Sequence, residues 1–364
     1  MTINPISIAE EIASTTEKLY KGYEALQKMA DVEVATTPKE LVYQKDKVKI
    51  YHYLREGAPI KCKIPVLVSF AMLNRHDVLD LQPDRSLMKK FVDLGLDVYI
   101  MDWGYPTKAD KYLTMEDYID GYMNDAVDFV RKTHKVPKIH KMAICQAGTY
   151  AMIYASRYPE KLQTLTTYVA PFDFGSRENM LYKWAKYIDV DAMVDSVGTI
   201  PGEMVDGAFA MLKPSMNISK YFGIMDSLED KEKMENFLRM EKWKSDLPAI
   251  AGEMYRKYIK DLFQENKLIT GDMELGGVKI DLKNMTVPYL NVYATGDTII
   301  PNHSTLAVMD KIGSEDKEEY AFPGGHIGVF VGSRSQKELA PKVTNWILER
   351  TKKVSNETKK ATKE

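Results

Sequence analysis

Apolar residues along this chain fall into short dense runs separated by longer amphipathic stretches. Pro65–Ala71 is a near-continuous apolar run of the kind found in strands covered on both faces. Asp84–Leu94 has helical spacing and is closed by Gly95, and Leu96–Asp102 predicts the next strand. Thr114 followed by Asp117 is a capping-box-like start for a helix reaching Lys132. Ile139–Ile144 then predicts a strand and Gln146–Tyr158 a helix, with Leu165–Ala170 a further strand ended by Pro171. Such alternation of strand and helix builds a parallel sheet with helices on both faces.

After Pro171 the pattern changes. Residues 172–285 are mostly helical in spacing, punctuated by Gly and Pro. They hold 11 of the chain's 21 methionines, at 180, 193, 204, 211, 216, 225, 234, 240, 254, 273 and 285. Methionine adapts to irregular partners, so two readings stand: a cap facing a flexible apolar substrate, or a cap whose methionines fill its own core. The sheet is expected to resume at Val287–Tyr293 and to end with Glu319–Phe322, before a closing helix Gln336–Arg350. Residues 5–30, with Ile8, Ile12, Leu19, Tyr23 and Leu26 at mostly helical spacing, predict an amphipathic helix that packs on the main domain or, less simply, meets a partner. The expected organisation is a lead-in at 1–36, a core at 37–171 and 286–350, a cap at 172–285 and a disordered tail at 351–364. There are no internal repeats.

Composition narrows the class of protein. With 45% hydrophobic and 28% charged residues, the chain is that of an ordinary water-soluble protein. A net charge of −2 gives no electrostatic reason to expect nucleic acid. No apolar run approaches the ~20 residues of a membrane span, and the acidic start argues against a secretory signal. Cys62 and Cys145 are the only cysteines, which excludes a disulfide framework and a four-cysteine zinc site and points to a reducing, cytoplasmic setting.

Cys145 stands between the predicted strand and helix. In an α/β-hydrolase fold that turn usually reads G-x-S-x-G, because strand and helix approach so closely that the flanking side chains must be tiny. Here Ala143 and Ala147 take the glycine places and cysteine replaces serine. The alternative for Cys145 is a space-filling buried thiol. In this fold the nucleophile, the acid and the histidine follow one another along the chain, and Cys145, Asp297 and His326 do so, each just after a predicted strand. His326 would take the thiol proton and Asp297 would orient the ring; a cysteine beside an imidazolium ionises more readily than a free thiol. His303 competes for the histidine role, and Asp173 and Asp102 for the acid. The oxyanion would be met by the backbone N–H of Gln146 and by a second donor after the strand ending near Ala71, Met72 first and Leu73 next.

On these residues the chain resembles a known family. Pro65–Arg75, Leu79–Pro83, Gly95–Pro106, the Cys145 elbow, Tyr258–Leu268 and Gly324–Val331 are similar to the catalytic subunit of polyhydroxyalkanoate synthases, and the resemblance runs from about residue 37 to about 350. It implies an α/β-hydrolase fold, with a mostly parallel sheet and an inserted helical cap. The implied reaction is polymerisation of (R)-3-hydroxyacyl-CoA, with 3-hydroxybutyryl-CoA expected, into a polyester with release of CoA. Cys145 would carry the growing chain as a thioester. His326 would activate the thiol, and Asp297 would orient His326 or help activate the substrate's 3-hydroxyl. No separate cofactor is implied, since the CoA thioester is the substrate. The chain is similar to the short two-component type, which works with a second, unrelated subunit; the longer one-component type carries an extra N-terminal domain that is missing here. A homo-oligomer at the surface of cytoplasmic polyester granules is implied as well. Ala143 and Ala147 depart from the family elbow, and Thr298 stands where many members have a histidine after the acid. Two other readings remain: a cysteine-dependent thioesterase or polyester depolymerase, and an inactive granule-bound subunit.

Overall fold

A computed structural model describes residues 32–57, 59–176, 180–212 and 230–361, with a few isolated positions before them. The predicted N-terminal helix at 5–30 lies almost wholly outside the described residues, as do Met216 and Met225. Eight strands form the main sheet. In chain order they are β1 (Lys39–Lys45), β2 (Val48–Tyr53), β3 (Val66–Ser69), β4 (Val98–Asp102), β5 (Ile139–Ile144) and β6 (Leu162–Tyr168). The two-residue pairs β7 (Thr199–Ile200) with β8 (Ile250–Ala251), and β9 (Glu274–Leu275) with β10 (Val278–Lys279), lie in the insert. β11 (Tyr289–Ala294) and β12 (Lys317–Phe322) complete the sheet, whose order is β1-β2-β4-β3-β5-β6-β11-β12.

β3 to β6, β11 and β12 run parallel, while β2 is antiparallel to both β1 and β4. Because side chains alternate across a strand, the apolar runs feed two faces at once. Ile139 and Ala143 of β5 join one apolar cluster and Met142 and Ile144 the other. Helices Asn124–His134 and Gln146–Arg157 cover the first face, and Leu87–Asp93 and Ala340–Ala361 the second. The six strands expected from apolar runs are all present. The β1–β2 hairpin was not anticipated; its polar, half-exposed outer strand carries no continuous run, and Asp46 turns the corner at φ +51°.

The helix predicted from Thr114 begins with the expected reciprocal cap: Asp117 accepts from the Thr114 backbone N–H at 2.8 Å and the Asp117 N–H donates to Thr114 Oγ1 at 3.2 Å. Its first turns, Asp117–Met123, are π-helical before the chain settles into Asn124–His134. The closing helix does not stop at Arg350 but runs to Ala361, into residues expected to form the tail. Neither Gly nor Pro interrupts 351–361, and its Lys and Glu are good helix formers.

At the sheet centre, β5 carries two buried bases side by side. His140 is clasped between Thr164 Oγ1 at 2.8 Å and Thr351 Oγ1 at 2.9 Å, and burial pushes its pKa down to about 3. Lys141 is fully buried and donates to Ser69 Oγ at 2.7 Å and to the Leu67 and Met142 carbonyls at 3.4 and 3.3 Å. Burial pushes its pKa down to about 7. Between that value and the 10.5 of an exposed lysine, the unfolded chain holds more protons than the folded one, so stability rises with pH across that window. Lys141→Met is expected to raise stability at pH 7 by on the order of 1 kcal/mol. Its advantage over the parent should shrink as denaturant unfolding is repeated from pH 7 toward pH 10; an advantage that stays constant or grows would contradict this assignment.

Candidate active site

The chain turns abruptly where β5 ends. Cys145 takes φ +54° and ψ −128°, a conformation that costs a non-glycine residue about 1–3 kcal/mol, and the helix starts at the next residue. The turn is held by Cys145 N–H donating to the Tyr168 carbonyl of β6 at 2.8 Å and by Gly148 N–H donating to the Cys145 carbonyl at 2.8 Å. Ala143 and Ala147 are fully buried, and neither has positive φ, so their methyl groups fit where the motif usually has glycine. The need for glycine falls one residue later. A Cβ on Gly148 would lie 2.4 Å from Ala170 Cβ, so this is where the helix touches the chain just past β6. Sequence reasoning missed Gly148, although a glycine inside a helical stretch was a signal of close packing.

The other two predicted groups arrive from the turns that follow β11 and β12. His326 Nδ1 and Asp297 Oδ2 are 2.7 Å apart, and Asp297 Oδ1 accepts from the Ile299 and Ile300 backbone N–H groups at 2.8 and 2.9 Å. Both carboxylate oxygens are thereby fixed. The Asp297 side chain is 1% exposed and that of His326 is 10% exposed, while Cys145 is partly open. Burial by itself lowers the pKa of His326, but the Cys145 sulfur and the Asp297 carboxylate outweigh it and hold the imidazole above its usual range. The ring is therefore poised to carry positive charge beside the sulfur.

The rivals lie elsewhere. His303 is exposed in the short helix Asn302–Leu306. Asp173 Oδ1 accepts from Gly175 N–H and Asn266 Nδ2, both at 2.8 Å. Asp102 is paired with Arg75 by two bonds of 2.6 and 2.8 Å.

Cys145 and Gln146 open onto a cavity of about 270 Å³ whose walls come largely from the insert: Trp184, Phe209, Tyr258, Phe263 and the side chains of Met193 and Met204. Met211 joins them at the rim. Met254, Met273 and Met285 are buried in an apolar cluster instead, and Met234 is buried as well. The methionine-rich stretch thus divides between residues that line the cavity and residues that are buried in packing. Among the described residues, no group of three or more His, Cys, Asp or Glu converges to hold a metal ion.

Comparison with known proteins fits this arrangement. A family model described as alpha/beta hydrolase fold matches residues 77–333. Among solved structures, a soluble variant of monoglyceride lipase from Saccharomyces cerevisiae superposes with a TM-score of 0.55 at 16% identity, covering 87% of this chain and 97% of that one. A putative lipase from Sulfolobus solfataricus gives 0.54 at 15% identity, covering 86% and 99%. Sequence relatives are nearer. "Poly(3-hydroxyalkanoate) polymerase subunit PhaC" of Allochromatium vinosum is 41% identical over 350 residues, covering 96% of this chain and 99% of its own. The protein of the same name from Synechocystis sp. is 42% identical over 350 residues, covering 93% and 92%. The chain belongs to the poly(3-hydroxyalkanoate) polymerase subunit family. Its α/β-hydrolase fold is as the sequence led one to expect.

In this member of the family, the loop after β3 is pinned more firmly than its sequence suggests. Trp103 Nε1 donates to the Phe70 carbonyl at 2.7 Å, and Trp243 Nε1 from the helix Lys231–Ser245 donates to the Arg75 carbonyl at 2.7 Å. Arg75 grips Asp102, which also accepts from Gly104 N–H at 2.9 Å, and its guanidinium stacks 4.5 Å above the Tyr105 ring. The loop therefore presents Met72 between two anchors. Its backbone N–H donates to Gln146 Oε1 at 3.1 Å, while Leu73 faces the cavity. Arg75, Trp103 and Trp243 were not singled out from the sequence, because their partners become neighbours only when β3 lies beside β4.

Gly148→Ala is expected to destabilise the protein by about 1–3 kcal/mol, since the helix must back away from Ala170. Denaturant unfolding measures it. Ala147→Gly, which relieves no contact, should change stability by less than about 1 kcal/mol; the reverse order of the two effects would refute this account of the turn.

Proposed function

We propose that this chain polymerises (R)-3-hydroxyacyl-CoA, with 3-hydroxybutyryl-CoA as the expected substrate, into polyhydroxyalkanoate with release of CoA. Cys145 is the nucleophile, His326 its base and Asp297 the group that orients His326. The observation that carries this reading is the placement of Cys145 at the strained turn, beside a buried His326–Asp297 pair and at the mouth of an apolar cavity. Relatives named as poly(3-hydroxyalkanoate) polymerase subunits support it independently.

The chemistry follows from these groups. The imidazole accepts the thiol proton, and the sulfur attacks the acyl carbon of the CoA thioester. The electron pair of the carbonyl moves to oxygen, where the Gln146 and Met72 N–H groups are the proposed donors, and collapse expels CoA thiolate. The acyl group is left on Cys145 as a thioester. Thiolate is a good leaving group, so the chain can pass on to the hydroxyl of another monomer without a deep energetic trap. The nearly apolar cavity suits a flexible acyl chain and keeps water from the intermediate. Asp297 acts on His326 in this scheme, because its other oxygen is committed to two backbone N–H groups. The proposed partners are a growing polyester chain, a second synthase subunit and further copies of the chain, at a polyester surface. Among the described residues no helix is long and apolar enough to cross a membrane.

Purified protein given 3-hydroxybutyryl-CoA, with and without a candidate second subunit, is expected to release CoA and leave insoluble polyester. Release of CoA with only soluble 3-hydroxybutyrate would mark a hydrolase instead. Cys145→Ala should lower CoA release by at least about 10³-fold, and retained turnover would sink the mechanism.

A further inference from the structure

The cavity beside Cys145 is mostly apolar, yet the acyl group proposed to enter it carries a hydroxyl on its third carbon. Among the described residues, the side chains on its wall with a strong hydrogen-bonding atom are Cys145, Gln146, Trp184, Tyr255 and Tyr258. Cys145 is consumed in the acyl bond. The amide oxygen of Gln146 is taken by the Met72 N–H at 3.1 Å. Of the two phenols, Tyr258 is the one that interacts electrostatically with the Cys145 sulfur and meets the Gln146 side chain.

Tyr258 is also firmly held. It is 6% exposed and opens the π-helical turn Tyr258–Gln264, a kind of turn that recurs at functional sites. Tyr150, Phe174 and Phe263 meet its ring edge-on, with centroids 5.9, 6.0 and 5.6 Å away. Burial, and after it the Cys145 sulfur, hold its pKa above the usual phenol range, so the hydroxyl keeps its proton. The Gln146 side chain meets the phenol oxygen as a donor, since their bond favours the ionised phenol. A phenol can accept that bond and still donate its own hydrogen.

We propose that Tyr258 is the residue that reads the 3-hydroxyl: its O–H donates to that oxygen while the acyl group is joined to Cys145. This rests on the reading of Cys145 as the nucleophile. A 3-hydroxyacyl group then enters with its polar atom paired. A plain acyl group leaves the Tyr258 donor facing hydrocarbon, which is how a buried polar group selects against an analogue lacking its partner.

Two thioesters that differ in this hydroxyl, 3-hydroxybutyryl-CoA and butyryl-CoA, test the assignment. With enzyme in excess, one turnover forms the Cys145 Sγ–acyl bond, breaks the acyl–CoA bond and expels CoA thiolate, which takes up a proton. The ratio of the two rate constants cancels changes in sulfur reactivity, oxyanion stabilisation and CoA binding, which are what a merely structural loss would alter. The parent is expected to favour 3-hydroxybutyryl-CoA by at least about tenfold. Tyr258→Phe, which keeps the ring, should lower that preference about five- to tenfold. Tyr182 is another electrostatic neighbour of the sulfur, but its hydroxyl pairs with Ser304 Oγ at 3.2 Å and it does not line the cavity, so Tyr182→Phe should keep the preference. A parent without the preference overturns the proposal before any variant is made. So does an unchanged preference in Tyr258→Phe, or an equal loss in Tyr182→Phe. Should neither thioester acylate Cys145 of the parent, the nucleophile reading itself falls, and the two failures are thereby told apart.

Discussion

The site depends on one backbone conformation that the chain would not adopt by itself. Cys145 at φ +54° is strained, and it persists because β5 is locked between β3 and β6 in the middle of the sheet, with the Tyr168 carbonyl accepting the Cys145 N–H. Val169, the next residue after β6, is also held at positive φ, at +43°, with its own N–H donating to the Val292 carbonyl of β11. Strain thus sits on adjacent strands at the edge where the acid and the histidine arrive. Parallel strands bring their following turns to one edge, so Cys145, Asp297 and His326 meet although 181 residues separate the first from the last.

How much of this was legible in the sequence depended on whether the signal was local. The six core strands and the strand–thiol–helix order were legible because apolar runs and their terminators are local features. The β1–β2 hairpin was not, because an edge strand with one exposed face has no such run. The order of Cys145, Asp297 and His326 at strand ends was readable from the chain, but the steric reason for the turn was misplaced. Ala143 and Ala147 drew attention, whereas the close contact is between Gly148 and Ala170, a pair visible only once the helix lies on β6. The grip of Arg75 on Asp102 was hidden for the same reason.

The comparisons divide along the same line. Lipases at 15–16% identity share the scaffold, which fixes where a nucleophile, an acid and a histidine can stand. The insert supplies most of the cavity wall. Its aromatic side chains Tyr182, Tyr258 and Phe263 pack with Phe174 against the helix that follows Cys145, so the cavity wall is continuous with the protein's own core. A wall built in that way is stiff where aromatic rings interlock and compliant where Met193 and Met204 line it.

The indole of Trp243 ties the helix Lys231–Ser245 to the main chain only three residues from Met72. Arg239 on the same helix adds contacts to Gln82 at 3.2 Å and to the Glu33 carbonyl at 3.1 Å. The insert and the turn after β3 are consequently one mechanical part. A displacement of that helix would drag the Arg75 carbonyl with it and unseat the backbone amide nearby, so the position of the Met72 N–H is set as much by a helix far along the chain as by its own strand.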